Sequence, residues 1–503
     1  MGQTQLISAA LGLPSALAEA QPDFALLIEG NRITATGPRT VMRQRYPEVI
    51  EEYFEHMLLL PALVNSHDHG RGLGTASLGI DDDILEAWLL MLRTQPTISP
   101  YWAAALDGVR LLRSGVTLTA HSANPLDWRN LHAESAETLR GYRDAGIRVA
   151  YHPPMVDQNL LVYNDEAGFI TSLPAELQPA AQKMKGFAAL TTDEYIGLCD
   201  ALHTQFHDAD NHTVHIQVSP AGGQWCSDTL ILRSVEWAKA HSTRIQMHLL
   251  ETRFQRHYAF QKWGKSFVKH LDEIGALGSW LTLAHMIWIE PDDLPVLAQR
   301  GVSIAHNPSC NLRLRSGIAP LAQMQAAGVL LGIGLDGHGL DDDQDYLREL
   351  RLAQTLSNLQ LQQQAASTSL TPLTTARAIL HMGTQGGARV TLGAHASLGR
   401  LEVGMLADFV LLDLNFSIWN YVEDATGLVE ALLRLASRQH VRHVMANGEW
   451  VVRDGQHAHL NERELLDHIA DELRRQPRPH QNAALSAATA IAPFLKRFYD
   501  AMA

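Results

Sequence analysis

The sequence predicts an α/β fold, a (β/α)8 TIM-like barrel with a small β-sandwich domain built from the N- and C-terminal segments. After Leu58, eight short apolar runs alternate with helical stretches, which is the pattern of parallel strands joined by helices. Runs near both ends of the chain are separated by Gly and Asn turns, which are typical of antiparallel strands. A doubly wound open sheet is the competing fold, but no glycine-rich phosphate loop follows any run.

The two ends of the chain are expected to form one small domain. Phe24–Glu29 and Arg32–Thr36 flank a Gly-Asn turn and predict a hairpin that is too small to fold alone. Its expected partners are the distant runs Leu398–Asp413 and Val441–Gly455. The predicted divisions are 1–57 and 394–460 for the two parts of the β-sandwich, 58–393 for the catalytic barrel and 461–503 for C-terminal helices.

The barrel strands are expected at the eight apolar runs. In order these are Leu58–Asn65, Val116–His121, Ile147–His152, Thr213–Ser219, Arg244–Leu249, Leu281–His285, Val302–His306 and Val329–Asp336. The third and fourth runs are separated by the unusually long segment Val156–Leu190. Long loops in compact domains are often functional, so this segment is interpreted either as a lid or partner contact, or as an ordinary surface insertion.

Length and composition exclude several classes of protein. The chain has 503 residues, of which 46% are apolar and 19% charged, so a large globular fold is expected. The formal net charge of −14 argues against nucleic acid and membranes as partners. Three cysteines lie far apart, the N-terminus lacks the basic start of a signal peptide, and no apolar run approaches transmembrane length, so a cytoplasmic protein is predicted.

Histidine closes most of the predicted strands. His67 and His69 stand two apart after the first run, so their imidazoles share one face of the strand. Later runs end in or beside a histidine or an aspartate: His121, His152, His248, His285, His306 and Asp336. Barrel active sites lie at the C-terminal ends of the strands. Converging imidazoles and a carboxylate there suit a catalytic metal with an open water position.

Several motifs occur in a characteristic order: LPALVNSHDH, HLLET (248–252), LAHM (283–286), HNPSCNLRLRSGIAPL (306–321), GIGLDG (332–337) and the tail LGRLEVGMLADFVLLD with VMANGEWVVRDG. By these motifs the chain resembles the mononuclear aminohydrolase and chlorohydrolase branch of the amidohydrolase superfamily, which includes guanine deaminase, S-adenosylhomocysteine deaminase and the triazine hydrolases. The resemblance covers most of the chain, from about Gly30 to Gly455.

The resemblance implies a set of roles for residues of this sequence. One divalent metal, with zinc expected before ferrous iron, would be bound by His67, His69, His248 and Asp336. Glu251 would shuttle a proton, His285 would stabilise the developing oxyanion, and Asp336 would also accept the proton of the attacking water. The fourth run contains no lysine that could be carbamylated to bridge two metals, which favours a single ion.

The substrate contacts are less defined by the sequence. Arg71, His121 and His338 are candidate substrate-binding residues because they lie close to the predicted ligands or at a strand end. Asp68 alternates away from the two histidines beside it and is not expected to bind the metal. A structural role is the first interpretation for three members of the HNPSCN motif, His306, Asn307 and Asn311, and Cys310 is placed at the pocket edge.

The predicted function is a metal-dependent hydrolase that acts on a C–N bond of a nitrogen heterocycle, by deamination of a purine, pterin, pyrimidine or triazine. One alternative keeps the metal site but hydrolyses an amide, urea or carbamate, or removes a halide. Another alternative is a catalytically silent barrel used for binding. The expected partners are a small-molecule substrate and further copies of the chain, as a homodimer or larger homo-oligomer. The sequence leaves the substrate, the native metal and the oligomeric state open.

Overall fold

The computed structural model describes residues 4–125, 127–185, 190–337, 339–364, 372–416 and 425–502. Its strands are β1 (Thr4–Gly12), β2 (Gln21–Glu29), β3 (Arg32–Pro38), β4 (Glu51–Pro61), β5 (Leu63–Asp68), β6 (Val116–Ser122), β7 (Arg148–His152), β8 (Pro154–Met155), β9 (Val214–Ile216), β10 (Ser219–Pro220), β11 (Ile245–Leu249), β12 (Leu281–His285), β13 (Ser303–His306), β14 (Leu330–Ile333), β15 (Phe409–Asp413), β16 (Val441–Ala446), β17 (Glu449–Arg453) and β18 (Gln456–His457).

The helices are α1 (Arg39–Arg45), α2 (Leu85–Leu92), α3 (Pro100–Arg113), α4 (Leu131–Ala145), α5 (Glu166–Ser172), α6 (Gln178–Lys185), α7 (Thr192–Phe206), α8 (Asp228–Ala240), α9 (Arg253–Trp263), α10 (Phe267–Glu273), α11 (Leu294–Arg300), α12 (Pro308–Arg313), α13 (Leu321–Ala326), α14 (Tyr346–Gln364), α15 (Ala376–Met382), α16 (Gln385–Leu392), α17 (Ala425–Leu435), α18 (Glu462–Arg474) and α19 (Ala483–Met502). No helix in the described ranges is both long and apolar enough to cross a bilayer.

Eight parallel strands form the barrel. Strands β5, β6, β7 and β9 pair in that order, and so do β11, β12, β13 and β14. A parallel bridge between Val218 and Ile245 joins the two groups on one side. On the other side the backbone N–H of Asp336 donates to the carbonyl of His67 at 3.0 Å. The ring is therefore closed, and the predicted barrel is confirmed.

The first predicted barrel strand is in fact two strands. Leu58–Pro61 belong to β4 and pair antiparallel with β15, so that Leu58 lies opposite Leu412. The barrel strand β5 begins at Leu63, whose N–H donates to the carbonyl of Gly115 at 2.9 Å. Both halves of the run are buried, and an apolar run alone does not reveal which of two sheets covers it.

The two ends of the chain meet in one sheet of eight strands, in the order β18-β17-β16-β15-β4-β1-β2-β3. The hairpin partners β2 and β3 lie at one edge of this sheet, and the C-terminal strands lie at the other. Neighbouring residues of β2 point to opposite faces, with Leu26 in one apolar cluster and Leu27 in a second cluster beneath α1. The expected pairing of the N- and C-terminal segments is confirmed.

Helices cover the outside of the barrel, and two helices that the sequence patterns did not predict border its mouth. Helix α2 follows β5 and helix α9 follows β11, both at the C-terminal ends of the strands. The long segment after β7 contains α5 and α6 and packs against the C-terminal helix α19 through the ring pairs Phe169–Phe498 and Tyr163–Tyr499. These elements form a wall around the C-terminal end of the barrel, where the polar strand ends lie.

Candidate metal centre

Four side chains from three barrel strand ends converge at the C-terminal mouth. His67 is the penultimate residue of β5 and His69 follows that strand, while His248 lies on β11 and Asp336 follows β14. One ligand atom from each of the four lies within 4.8 Å of all the others. Residues nearly 270 positions apart are therefore adjacent, because β14 and β5 are neighbours in the closed barrel.

Two of these imidazoles are oriented by backbone carbonyls. Nδ1 of His69 lies 2.8 Å from the carbonyl oxygen of Ser122, and Nδ1 of His248 donates to the carbonyl of Ala221. A carbonyl oxygen can only accept a hydrogen bond, so the proton of each neutral ring is on Nδ1. Both rings thus present unprotonated Nε2 atoms to the centre.

The third imidazole is oriented by a glutamine. Nδ1 of His67 lies 2.6 Å from Oε1 of Gln246, while Nε2 of Gln246 donates to the carbonyl of Ser66 at 3.0 Å. Because the amide nitrogen is engaged by a carbonyl, the amide oxygen must face His67, and Nδ1 of His67 donates to it. Such partners fix ring orientation and raise the basicity of the nitrogen that faces a metal.

The four ligand atoms lie so close together that a cation is needed among them. Nε2 of His67 and Nε2 of His69 lie 3.1 Å and 3.0 Å from the same carboxylate oxygen of Asp336. Nitrogen lone pairs and a carboxylate oxygen at this separation repel one another unless a cation stands among them. Nε2 of His67 is buried without a hydrogen-bond partner among the described residues. Three imidazole nitrogens and one carboxylate oxygen are donors that zinc and ferrous iron accept, so the residues fit the metal.

The pKa values of His69, His248 and Asp336 agree with this donor set. Burial lowers the pKa of His69 to about 4 and holds the pKa of His248 well below its ordinary value. For His67 the attraction of Asp336 outweighs burial and raises the pKa. The pKa of Asp336 lies well below its ordinary value because His67 and His69 outweigh the opposing effect of burial. An ionised carboxylate and neutral imidazoles are the protonation states that bind a metal, so the metal would displace the proton that Asp336 favours on His67.

The backbone at two of the strand ends adopts the left-handed conformation. Asp336 has φ 62° and His285 has φ 76°, and neither is glycine. A non-glycine residue in this region costs roughly 1 kcal/mol or more and persists only where the surroundings impose it. Here the turn directs the side chains of both residues into the barrel mouth, where each is buried.

Glu251 and His285 lie beside the four ligand candidates. Nε2 of His285 lies 3.6 Å from Oε2 of Glu251 and also 3.6 Å from Oδ2 of Asp336. Burial, assisted by the charges of Asp336 and Glu86, raises the pKa of Glu251 well above its ordinary value. A raised pKa favours the protonated form of a carboxyl group, and this form can act as a general acid.

A cavity of about 490 Å³ opens above this centre. Its floor includes His69, His248, Glu251, His285 and Asp336, and its walls include the indole rings of Trp88, Trp128 and Trp225 with several leucines. The segment between β7 and β9 contributes Leu160, Met184 and Lys185 to the wall. The volume and the mixture of apolar walls with a few polar groups are typical of a small-molecule site.

The three candidate substrate contacts have different surroundings. Arg71 lines the cavity. His121 is buried and its Nδ1 lies 2.7 Å from the hydroxyl of Tyr142, which in turn donates to Asp107. This bond places His121 in a polar network behind the main cavity, in the wall of a smaller adjacent cavity of about 90 Å³. His338 lies outside the described residues.

Two residues that orient the site were not assigned this role from the sequence. Gln246 lies two positions before His248 on β11, so strand alternation already places both side chains on one face. Asn311 accepts a hydrogen bond from His285 at 2.9 Å, although its motif suggested only loop shape. Asp68, in contrast, accepts from the backbone N–H groups of His69 and Gly70 and lies outside the group of four.

Comparisons with known proteins identify family models and relatives that are similar to this chain. A family model described as "Amidohydrolase family" matches residues 58–451, and one described as "Imidazolonepropionase-like composite domain, bacteria" matches residues 25–48. The 5-methylthioadenosine/S-adenosylhomocysteine deaminase 1 of Syntrophus aciditrophicus is 27% identical over 455 residues, which cover 89% of this chain and 91% of that protein.

Two solved structures share the fold. The adenosine deaminase of Xanthomonas campestris with bound zinc has a TM-score of 0.76 and 23% identity, and the match covers 94% of this chain and 98% of that one. The atrazine chlorohydrolase of Arthrobacter aurescens TC1, complexed with zinc, has a TM-score of 0.76 and 21% identity, and the match covers 93% and 99%.

Proposed function

The chain belongs to the amidohydrolase family, and from this premise we propose that it deaminates a nitrogen heterocycle by metal-dependent hydrolysis. The observation that carries the proposal is the group of His67, His69, His248 and Asp336, of which the last three line the cavity floor, with the acid Glu251 beside it. The deaminase names of several relatives agree with hydrolysis of a C–N bond.

We propose that the metal is held by His67, His69, His248 and Asp336, and that zinc occupies the site in preference to ferrous iron. Three neutral imidazoles and one carboxylate are borderline donors, which suit either ion. A metal bound there would lower the pKa of a water molecule from about 15.7 towards about 7 and so supply hydroxide at neutral pH.

Two carboxyl groups divide the proton transfers. Asp336 is ionised and accepts a proton from the water whose oxygen attacks the ring carbon. Glu251 is protonated and donates to the ring nitrogen that gains electron density during the attack. Glu251, ionised by that donation, relays the proton from Asp336 to the departing amine, and the C–N bond breaks. As ammonia leaves and the ring carbonyl forms, Glu251 takes the hydroxyl proton, so that both carboxyl groups return to their starting states.

His285 positions the reacting oxygen. Its Nδ1 proton is engaged by Asn311, so the neutral ring presents Nε2 to the cavity as an acceptor between Glu251 and Asp336. We propose that Nε2 first accepts a hydrogen bond from the attacking water. The resemblance implies that His285 also stabilises the oxyanion, and to donate a hydrogen bond to it the ring must carry a second proton, on Nε2.

The main alternative function uses the same site to cleave a different bond, either in an amide, urea or carbamate or between carbon and a halogen. The fold similarity to an atrazine chlorohydrolase makes dehalogenation the form to test first. Glu251 favours the amine, because an amine leaves as a neutral molecule only after protonation, whereas chloride leaves as a stable anion.

Ammonia release from aminopurines, aminopterins, aminopyrimidines and aminotriazines by zinc-reconstituted protein tests the proposal. We expect at least one ring amine to be consumed with one ammonia released per turnover, and Asp336→Asn to bind less zinc and to be inactive. Turnover restricted to ureas, amides or chlorotriazines would reject deamination. An unchanged zinc content and activity in Asp336→Asn would reject the site itself.

We further propose that the protein works in the cytoplasm on a small heterocycle, as a homodimer or larger homo-oligomer. The oligomeric proposal rests on the resemblance to its family, and light scattering coupled to gel filtration tests it. A single species with the mass of the 55.5 kDa chain would overturn it.

A further inference from the structure

We propose that the substrate ring itself carries an oxyanion, either a carboxylate or an ionised ring oxygen, and that Arg71 binds it. The inference builds on the proposed function, because it names the substrate class of the same cavity. Arg71 follows the His67–His69 pair on the loop after β5 and reaches the cavity near its metal-binding floor.

The guanidinium of Arg71 is incompletely paired. Nη1 donates to the backbone carbonyls of Asp336 and Gly337, at 3.1 Å and 3.4 Å. Nε is buried without a hydrogen-bond partner among the described residues. The carboxylates of Asp336, Asp68 and Asp342 attract the guanidinium, but none in this part of the chain accepts a hydrogen bond from it. Burying a cation with unused donors is costly unless an anion completes it. A planar fork of N–H donors matches a carboxylate or an oxyanion.

The position of Arg71 restricts where the oxyanion can be. Its Nη1 contacts the carbonyl of Asp336, whose carboxylate is one of the four groups on the floor. An anion bound by this guanidinium therefore lies on the side of the cavity next to Asp336. We place the negative charge on the ring or on an atom attached directly to it, because a long flexible tail would carry it away from this side.

The surroundings strengthen such a charge pair. The guanidinium carbon lies 5.2 Å from the ring centroid of Trp88, and leucines form much of the adjacent wall. Low polarity around a pair of opposite charges strengthens their attraction. The indole face also offers a surface on which a flat heterocycle can stack beside the cation.

The charge balance of the cavity favours an anion, although the chain as a whole carries −14. Three further cations line the wall, Arg93, Arg129 and Lys185, of which Lys185 is paired with Glu166. Apart from the floor groups Glu251 and Asp336, the acid in this lining is Asp127. The positive wall would attract an anionic substrate. Arg71 contacts the backbone of Asp336 and would determine where the negative charge of the substrate is bound.

Equilibrium binding of matched ligands tests the inference without catalysis. Metal-free protein is titrated with nicotinate against nicotinamide and with orotate against orotamide, and binding is followed by the fluorescence of the tryptophans that line the cavity. We expect the carboxylate of at least one pair to bind roughly 10- to 100-fold tighter than its amide, as for a charge-assisted pair. Omitting the metal prevents direct coordination of the carboxylate.

Variants separate a specific contact from a general attraction. Arg71→Gln should abolish the preference for the carboxylate, and Arg71→Lys should retain part of it because the charge remains but the planar fork is lost. Lys185→Gln, on the same wall but paired with Glu166, should keep the preference. Circular dichroism and zinc stoichiometry verify that each variant is folded, since Arg71 also holds the carbonyls of Asp336 and Gly337.

The outcomes distinguish this inference from the proposed function. Equal affinity for carboxylate and amide in both pairs, or a preference that survives in Arg71→Gln, would overturn the role of Arg71. A preference that depends on Arg71, combined with no release of ammonia from any ring amine, would support the anion site while rejecting deamination.

Discussion

Nδ1 of His285 lies 2.9 Å from Oδ1 of Asn311, and this hydrogen bond sets how His285 faces the cavity. His285 ends β12 in the left-handed conformation, which turns its side chain into the barrel mouth. The Asn311 oxygen accepts a hydrogen bond from the Nδ1–H group, so Nε2 is directed at Glu251 and Asp336. A residue of helix α12, which follows β13, thereby controls which nitrogen of a residue on β12 carries the proton.

Removing this hydrogen bond should slow catalysis without removing the metal. We expect Asn311→Ala to lower kcat about tenfold or more, as for other partners that orient active-site imidazoles, with zinc content unchanged. Asn311→Asp keeps an acceptor and should retain most of the activity. Steady-state kinetics and zinc analysis of both variants provide the measurement. An Asn311→Asp variant as slow as Asn311→Ala would show that the acceptor oxygen is not what matters.

Replacement of Glu251 should slow the loss of an amine from the ring far more than the loss of chloride. Glu251→Gln preserves size but removes the transferable proton, so kcat for a ring amine should fall about 100- to 10,000-fold. The same ring with chloride in place of the amine should lose far less activity, because chloride needs no proton to leave. The two rates are compared in one zinc-loaded preparation. Equal losses for both substrates would indicate that Glu251 acts mainly in binding.

Glu349 should make the stability of the fold depend on pH. Burial raises its pKa from 4.5 to about 8, although the N–H and hydroxyl of Ser309 donate to the carboxylate. Between these values the unfolded chain releases the proton while the folded chain keeps it, so the folded state binds more protons and the free energy of unfolding falls as pH rises. The loss is at most about 1.4 kcal/mol per pH unit in this window.

Glu349→Gln supplies the control for that pH dependence. The variant cannot ionise at this position. The parent should therefore lose unfolding free energy relative to the variant as the pH rises from about 5 to about 8. Urea unfolding of both proteins at matched pH values measures it. Parallel curves for the two proteins across this range would contradict a raised pKa for Glu349.

Arg148 and Asp408 form a buried ion pair between the barrel and the terminal sheet. Nε and Nη2 of Arg148 donate to the two oxygens of Asp408, each at 2.9 Å, and both side chains are no more than 2% exposed. Asp408→Ala leaves an unpaired buried guanidinium and should lower the free energy of unfolding by about 3–5 kcal/mol.

The double variant Arg148→Met with Asp408→Leu removes both charges and keeps most of the volume. It should recover a large part of the stability lost in Asp408→Ala, because no unpaired charge stays buried. Thermal unfolding of the three proteins compares them. A double variant as unstable as the single one would mean that side-chain shape, rather than the unpaired charge, accounts for the loss.

The sequence by itself determined the alternation of strands and helices and the residues that close the barrel strands. Both are local properties: an apolar run of strand length is visible in the sequence, and so are the His67–His69 pair, His248 and Asp336 at the ends of such runs. The barrel rule places strand ends at one mouth, so a metal site could be predicted without knowing any distance.

Only the tertiary structure decided which atoms meet. The division of Leu58–Asn65 between two sheets depends on pairing with residues more than 300 positions away, which no local pattern encodes. The proton positions on the imidazoles depend on partners such as Gln246 and Ser122 that come from other strands. For the same reason His121 faces Tyr142 rather than the main cavity, since long-range packing selects one partner among several that the sequence allows.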